Sequence, residues 1–143
     1  MRAPLAVLAA LFAVASCDIT YPAPELWHSS ITAVKGDYRC DVTNFDFDYT
    51  LFGEDFLGGQ STGSTARLTC VSGGLVVIDS TFANAFIIGR RWRDSIAFHS
   101  GFPEAEHRAR VTDDNMSGQS ELRIVDGDTV TLNGTFTATR IRR

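Results

Sequence analysis

The stretch Tyr38-Arg39-Cys40-Asp41-Val42-Thr43-Asn44-Phe45-Asp46-Phe47-Asp48-Tyr49-Thr50-Leu51-Phe52 decides the fold class. Its apolar residues recur at every second position: Tyr38, Cys40 and Val42 in one parity, then Phe45, Phe47, Tyr49 and Leu51 in the other. Successive side chains of a strand point to opposite faces, so this alternation describes a strand with one buried face. The change of parity near Thr43-Asn44 predicts a β-bulge, which restores the apolar residues to the same side. Asp46 and Asp48 are two apart and share the opposite face, which makes them neighbours in water and not an acid/base pair.

On both sides of this strand the apolar spacing stays at two, β-branched and aromatic residues dominate, and from Trp27 onward no window has the period of a long amphipathic helix. Gly58-Gly59-Gln60-Ser61-Thr62-Gly63-Ser64 reads as a flexible loop. It lacks the Lys-Ser/Thr ending of a phosphate-binding loop. Strands are expected over residues 65–71, 75–79, 85–88, 92–99, 108–111, 118–125 and 129–141, with Ser72-Gly73-Gly74 as a turn and Asp126-Gly127 as a hairpin signal. About seven or eight strands joined by short turns, without a crossover helix, predict an all-β antiparallel meander. Closing it into a small barrel removes the exposed edges. A β-sandwich is the alternative, but the immunoglobulin type packs its disulfide on a tryptophan, and none lies between Cys40 and Cys70.

The N-terminal residues have a different composition. Met1-Arg2 precedes an apolar run from Ala3 to Ala15, too short to span a bilayer as a helix and of the length of a signal-peptide core. Val14-Ala15-Ser16-Cys17 follows, and this resembles the lipobox of bacterial lipoproteins, in which the cysteine is acylated and becomes the new N-terminus. Ordinary secretory cleavage after Ala15 is the competing reading. The resemblance implies a signal peptide over residues 1–16, a lipidated Cys17, and a protein exported to the cell envelope and anchored in the inner or outer membrane by lipid (palmitate-type) chains. Asp18 resembles a signal for retention on the inner membrane. Residues 17–27 read as a lipidated tether, in which the nine residues from Asp18 to Leu26, with Pro22 and Pro24 and no apolar periodicity, reach ~30 Å when extended. Residues 28–143 read as one domain.

The chain carries a net charge of −4, with 13 basic and 17 acidic residues, and loses Arg2 with the signal. An acidic body argues against nucleic acid as a partner and against broad contact with anionic lipid. The three cysteines divide into Cys17 and the pair Cys40 and Cys70. A disulfide between those two suits an exported chain, and closing a loop of about 31 residues stabilises by roughly 3–4 kcal/mol. Two buried free thiols are the alternative.

Asn115-Met116-Ser117-Gly118 and the strand Leu132-Asn133-Gly134-Thr135-Phe136-Thr137-Ala138-Thr139-Arg140 resemble the closing hairpin of small, largely uncharacterised bacterial lipoproteins of lipocalin-like or avidin-like barrel architecture. In lipocalin-type barrels a Gly-x-Trp on the first strand meets an arginine of the last. The resemblance implies that Gly36-Asp37-Tyr38 and Arg140 play those parts here, closing one end of the barrel by a cation–π contact.

Candidate chemistry is sparse. His99, Glu104, Glu106 and His107 bring two imidazoles and two carboxylates within nine residues, donors enough for a metal, though the spacing matches no zinc motif and the residues read more simply as a surface hairpin loop. Arg90-Arg91-Trp92-Arg93 reads as the start of a strand, with Arg91 and Arg93 on one face and Trp92 on the other. Asp113-Asp114-Asn115 reads as a polar turn. No Gly-x-Ser-x-Gly, Ser-x-x-Lys or spare cysteine marks a nucleophile, and nothing calls for a cofactor. The leading functional expectation is a non-enzymatic binding module that holds a small apolar molecule or peptide among Phe45, Phe47, Phe82, Phe86, Trp92 and Phe98. The second is an envelope structural or interaction protein with a filled barrel, and the third a metal-dependent activity at the His99–His107 segment.

Overall fold

The protein is described here by a computed structural model that covers residues 23–61, 66–71, 77–82, 85–101, 104–126 and 128–141. Cys17 and the lipobox lie outside these residues. Among the described residues there are ten strands: β1 (Glu25–Lys35), β2 (Tyr38–Phe52), β3 (Phe56–Ser61), β4 (Ala66–Val71), β5 (Val77–Phe82), β6 (Phe86–Trp92), β7 (Ser95–Gly101), β8 (Glu104–Thr112), β9 (Asn115–Asp126) and β10 (Asp128–Arg140). All pairings are antiparallel, and the ring β1-β2-β3-β6-β7-β8-β9-β10 returns to β1, a closed eight-stranded barrel. β4 and β5 form an outer hairpin added to β2. The barrel expected from the alternation is therefore the observed fold, and the sandwich is set aside.

The bulge is where the parity switch placed it. Ser29 pairs with Phe45 and Ile31 with Val42, so Thr43 and Asn44 together oppose Ser30. Ser29 Oγ donates to the Phe45 carbonyl at 2.7 Å, which holds the irregularity in place. Here β2 also changes neighbour: residues 47–52 pair with β3, and residues 39–43 pair with β4. The bulge thus separates a barrel half of β2 from a half that carries the outer hairpin. Cys40 and Cys70 are direct cross-strand partners joined by a disulfide, and both are fully buried.

Several boundaries differ from expectation: β5 runs to Phe82, β6 to Trp92, and β8 already begins at Glu104, while three further differences concern whole segments. The first four residues of the glycine-rich run read as a loop, 58–61, belong to β3, because Gly59 is needed where β2 and β3 cross closely: a Cβ there would lie 1.8 Å from the Asp48 carbonyl oxygen. A glycine in a strand can thus mark close backbone approach, and not a loop. Gly134 does the same between β10 and β1, with 1.9 Å to the Thr32 oxygen. The single strand expected over 92–99 is split by a tight turn at Arg93-Asp94, where Arg93 adopts φ 54°. β1 begins at Glu25, inside the segment read as tether.

The two ends of the barrel are built differently. At the turn end lie the start of β1, the end of β10 and the tight β2–β3, β6–β7 and β8–β9 connections. There the carbonyls of Asp55, Asp94 and Asp114 accept hydrogen bonds from the amides of Arg91, Val111 and Arg140, at 2.6–2.8 Å. At the other, flap end, β3 stops opposite Phe47, and β4 places Leu68 and Cys70 against the upper part of β2.

The core fills the barrel between these ends. Phe47 is its hub, with ring centroids 5.8 Å from Phe45, 5.1 Å from Phe98 and 6.3 Å from Phe136. Burying aromatic rings of this size is the largest apolar contribution that the fold offers.

Candidate functional site

Among the described residues two groups of inward-facing polar side chains bond to one another, one at the turn end and one within the core, while buried Ser29 and Ser61 bond to backbone. At the turn end Glu25 gathers four neighbours. Its Oε2 accepts from Tyr49 Oη at 2.6 Å and Trp27 Nε1 at 3.2 Å, and its carboxylate lies 3.3 Å from Arg91 Nη1 and 3.6 Å from Arg140 Nη2. Arg91 Nη1 also donates to Tyr49 Oη at 2.8 Å. Burial, with the Glu25 carboxylate beside it, raises the Tyr49 phenol far above its usual range, so the hydroxyl remains a donor to Glu25. The arrangement is a lattice of charge-assisted hydrogen bonds across β1, β2, β6 and β10.

Arg140 completes it. Its guanidinium lies 5.0 Å from the Trp27 ring centroid, donates to the Asp113 carbonyl at 3.3 Å and pairs with Asp114 at 3.7 Å. The expected cation–π closure by an arginine of the last strand is present, but its partner is Trp27 and not Tyr38. Trp27 is the register partner of Arg140, whereas Tyr38 pairs with Lys35 at the flap end of the same hairpin. The signal that identifies Trp27 is its place on the first strand, with Glu25 where the lipocalin-type pattern has glycine.

The second group is His107 between two serines. Nε2 lies 2.8 Å from Ser100 Oγ and Nδ1 2.6 Å from Ser120 Oγ, joining β7, β8 and β9 across the interior. A neutral imidazole donates from one nitrogen and accepts at the other, so one serine accepts while its counterpart donates. The Phe98 and Phe136 rings lie 4.5 and 5.0 Å away. Burial, reinforced by His99, lowers the His107 pKa to about 3. Ser100 and His107 have the atoms of a nucleophile and its base, but His107, Ser100 and Ser120 are all 0–2% exposed and no substrate can reach them.

This buried position breaks up the candidate metal set. His99 and Glu106 meet on the outer face at 2.7 Å, and Glu104 pairs with Arg123 at 3.0 Å, while His107 points inward. Strand alternation separates neighbours 106 and 107 onto opposite faces. Among the described residues no group of three His, Cys, Asp or Glu is placed to hold a metal ion.

The candidate ligand-lining residues divide in the same way. Phe45, Phe47 and Phe98 are core, at 0–2% exposure, whereas Phe86 and Trp92 stand on the outer face. The side chain of Phe82 lies outside the described residues. Of the basic cluster, Arg91 turns inward to Glu25, Trp92 outward, and Arg93 folds over the Trp92 ring at 5.6 Å. It ends β6 and does not begin a strand. A cleft of about 410 Å³ opens beside Glu25, Leu26, Asp48 and Arg140, and another of about 500 Å³ lies on the outside of β6–β9 beside Trp92, Arg90, Arg108 and Arg110. Neither cleft touches the core rings.

No known protein family matches this chain, and no curated protein is similar to it.

Proposed function

We propose that this is an exported, lipid-anchored barrel that works through its outer surface, as an interaction module of the cell envelope with a filled interior. The observation that carries this reading is the absence of accessible surface on the interior rings. Phe45, Phe47 and Phe136 have 0% exposure, so no void large enough for a water molecule touches them. A pocket that takes a small ligand requires several hundred Å³ lined by such residues. Eight strands enclose either side chains or one small ligand, and here the side chains fill the space. The lipobox resemblance at Val14-Ala15-Ser16-Cys17 supports the anchor, and the Cys40–Cys70 disulfide fits an oxidising compartment.

Two measurements test the reading. Protein extracted from the membrane and examined by native mass spectrometry is expected to carry acyl chains on Cys17 and no further bound lipid, and not to take up a fluorescent fatty acid. Stoichiometric uptake would restore the ligand-binding alternative. Crosslinking in intact membranes is expected to give a defined adduct at outer-face positions, and failure to trap any partner counts against an interaction role.

A further inference from the structure

The outer surface is uneven. Phe52, Phe56, Phe86, Ile88 and Trp92 are all large apolar side chains at 44–67% exposure, and all lie on the outward faces of β2, β3 and β6. Register joins them into one wall: Phe52 pairs with Phe56, Phe56 with Arg90, and Phe86, Ile88, Arg90 and Trp92 follow each other along the outer side of β6. Gly58 lies beneath these rings and gives them room: a Cβ there would be only 3.3 Å from the Phe52 ring. Opposite this wall, β8, β9 and β10 present Glu106, Arg108, Gln119, Glu121, Asn133 and Thr135. An exposed apolar patch of this extent on one side of a small domain marks a contact surface.

The start of β1 says what covers it. β1 begins at Glu25 between β2 and β10, at the turn end of the barrel, which is also the end where Phe52, Phe56 and Trp92 lie. Strands are spaced ~4.8 Å apart, which puts β6 about 14 Å around the barrel from β1. The eight residue steps from Cys17 to Glu25 span at most ~28 Å. Acyl chains on Cys17 would therefore hold the turn end of the barrel within ~28 Å of the bilayer, close enough for the wall to rest on it.

We infer that the β2–β3–β6 wall seats the barrel on the membrane surface, with its aromatic side chains at the boundary between headgroups and acyl chains. The inference rests on the lipid-anchor reading above. Tryptophan and phenylalanine with adjacent arginines suit that boundary, since the rings enter the apolar layer while guanidinium groups remain with phosphate. Arg90 stands among the rings and makes no ion pair within the described residues, and Arg93 extends over Trp92. The nearby outer-face carboxylates already have partners: Asp46 with His28, and Asp48 with the Gln60 amide. Glu54 and Asp55 lie in the β2–β3 turn, at the rim of the wall.

The two tryptophans provide the test, because Trp27 is fully buried and Trp92 is 67% exposed. Full-length lipidated protein is reconstituted into phosphatidylethanolamine/phosphatidylglycerol vesicles with and without brominated acyl chains. Brominated lipid is expected to remove about half of the Trp92 emission, since an interfacial ring lies within ~5–10 Å of the boundary, and to leave the emission of Trp92→Phe, which reports Trp27 alone, unchanged. Cys17 acylation is read on the same samples by mass spectrometry. An acylated protein whose emission is not quenched overturns the seating and leaves the anchor intact. If that unquenched protein sediments as a dimer, a second copy covers the wall and the inference is equally overturned. A Cys17 without acyl chains removes the anchor reading and with it the premise.

Discussion

The interior is sealed by charge and hydrogen bonds at the turn end, and at the flap end by an added hairpin held by a covalent bond. At the turn end every strand continues to its connection, and Glu25 binds Trp27, Tyr49, Arg91 and Arg140 into one lattice over the core. At the flap end β3 stops early, which leaves the upper half of β2 paired with β1 on one edge and without a barrel neighbour on the other. β4 takes that place and is fixed by Cys40–Cys70. The difference shows that closure depends on supplying partners to whichever groups a barrel end leaves unpaired: side-chain donors in the first case, a strand edge in the second.

The comparison can be broken most strongly at the flap end. Replacing both Cys40 and Cys70 by alanine is expected to cost about 3–4 kcal/mol in urea denaturation, mainly by freeing the unfolded chain. Hydrogen exchange sharpens the result: amides of β4 and of residues 39–43 should lose protection while β7–β10 retain theirs. Uniform loss of protection would show that the staple supports the whole barrel and not one end. At the turn end Glu25→Ala removes the acceptor shared by four donors. Its side chain is 28% exposed, so the cost falls short of that for a fully buried ion pair, at about 2–3 kcal/mol. Exchange should rise at Trp27, Tyr49 and Arg91 and leave β4 unaffected.

His107 lies between the two closures and reports on both. Its folded pKa of about 3 is below the unfolded value near 6.5, so the unfolded state binds the proton first as pH falls. The stability associated with neutral His107 is fully present above pH 6.5 and is lost progressively on acidification toward pH 3. The slope approaches ~1.4 kcal/mol per unit, about 2 kcal/mol between pH 6.5 and 5. His107→Phe should flatten that part of the profile relative to the wild type, with the carboxylate contribution common to both. If opening the flap admits water to His107, the Cys40/Cys70 double variant will show a shallower slope as well, and Glu25→Ala will not. A slope unaltered in His107→Phe would exclude the histidine as its source.

The barrel was legible because its main strands alternate cleanly, and the bulge was legible because a single extra residue inverts the parity between Val42 and Phe45. β3 was hidden by glycines that signal a turn in isolation but here accommodate the Asp48 backbone. The inward and outward division of His99, Glu106 and His107 follows from alternation once β8 is known to begin at Glu104. Read as a loop, the same residues looked like a possible metal set. Trp27 gives no motif signal as the arginine partner because Glu25 stands where the lipocalin-type pattern has glycine, and Gly36 is the glycine nearest to the first strand. That glycine serves the β1–β2 turn, with φ 59°.

Arg140 offers the smallest and most selective test of the charged closure. Lysine at 140 keeps a positive charge near Glu25 and Asp114 but lacks the flat guanidinium that stacks on Trp27 and the second nitrogen that reaches the Asp113 carbonyl. Stacking on a partly desolvated ring is worth about 0.5–1 kcal/mol, so Arg140→Lys should lower stability by that amount. The loss should shrink in a Trp27→Phe background if the indole is the surface being recognised, because phenylalanine offers a weaker face to the cation. An equal loss in both backgrounds would assign the effect to the Asp113 hydrogen bond and reduce the cation–π contact to packing.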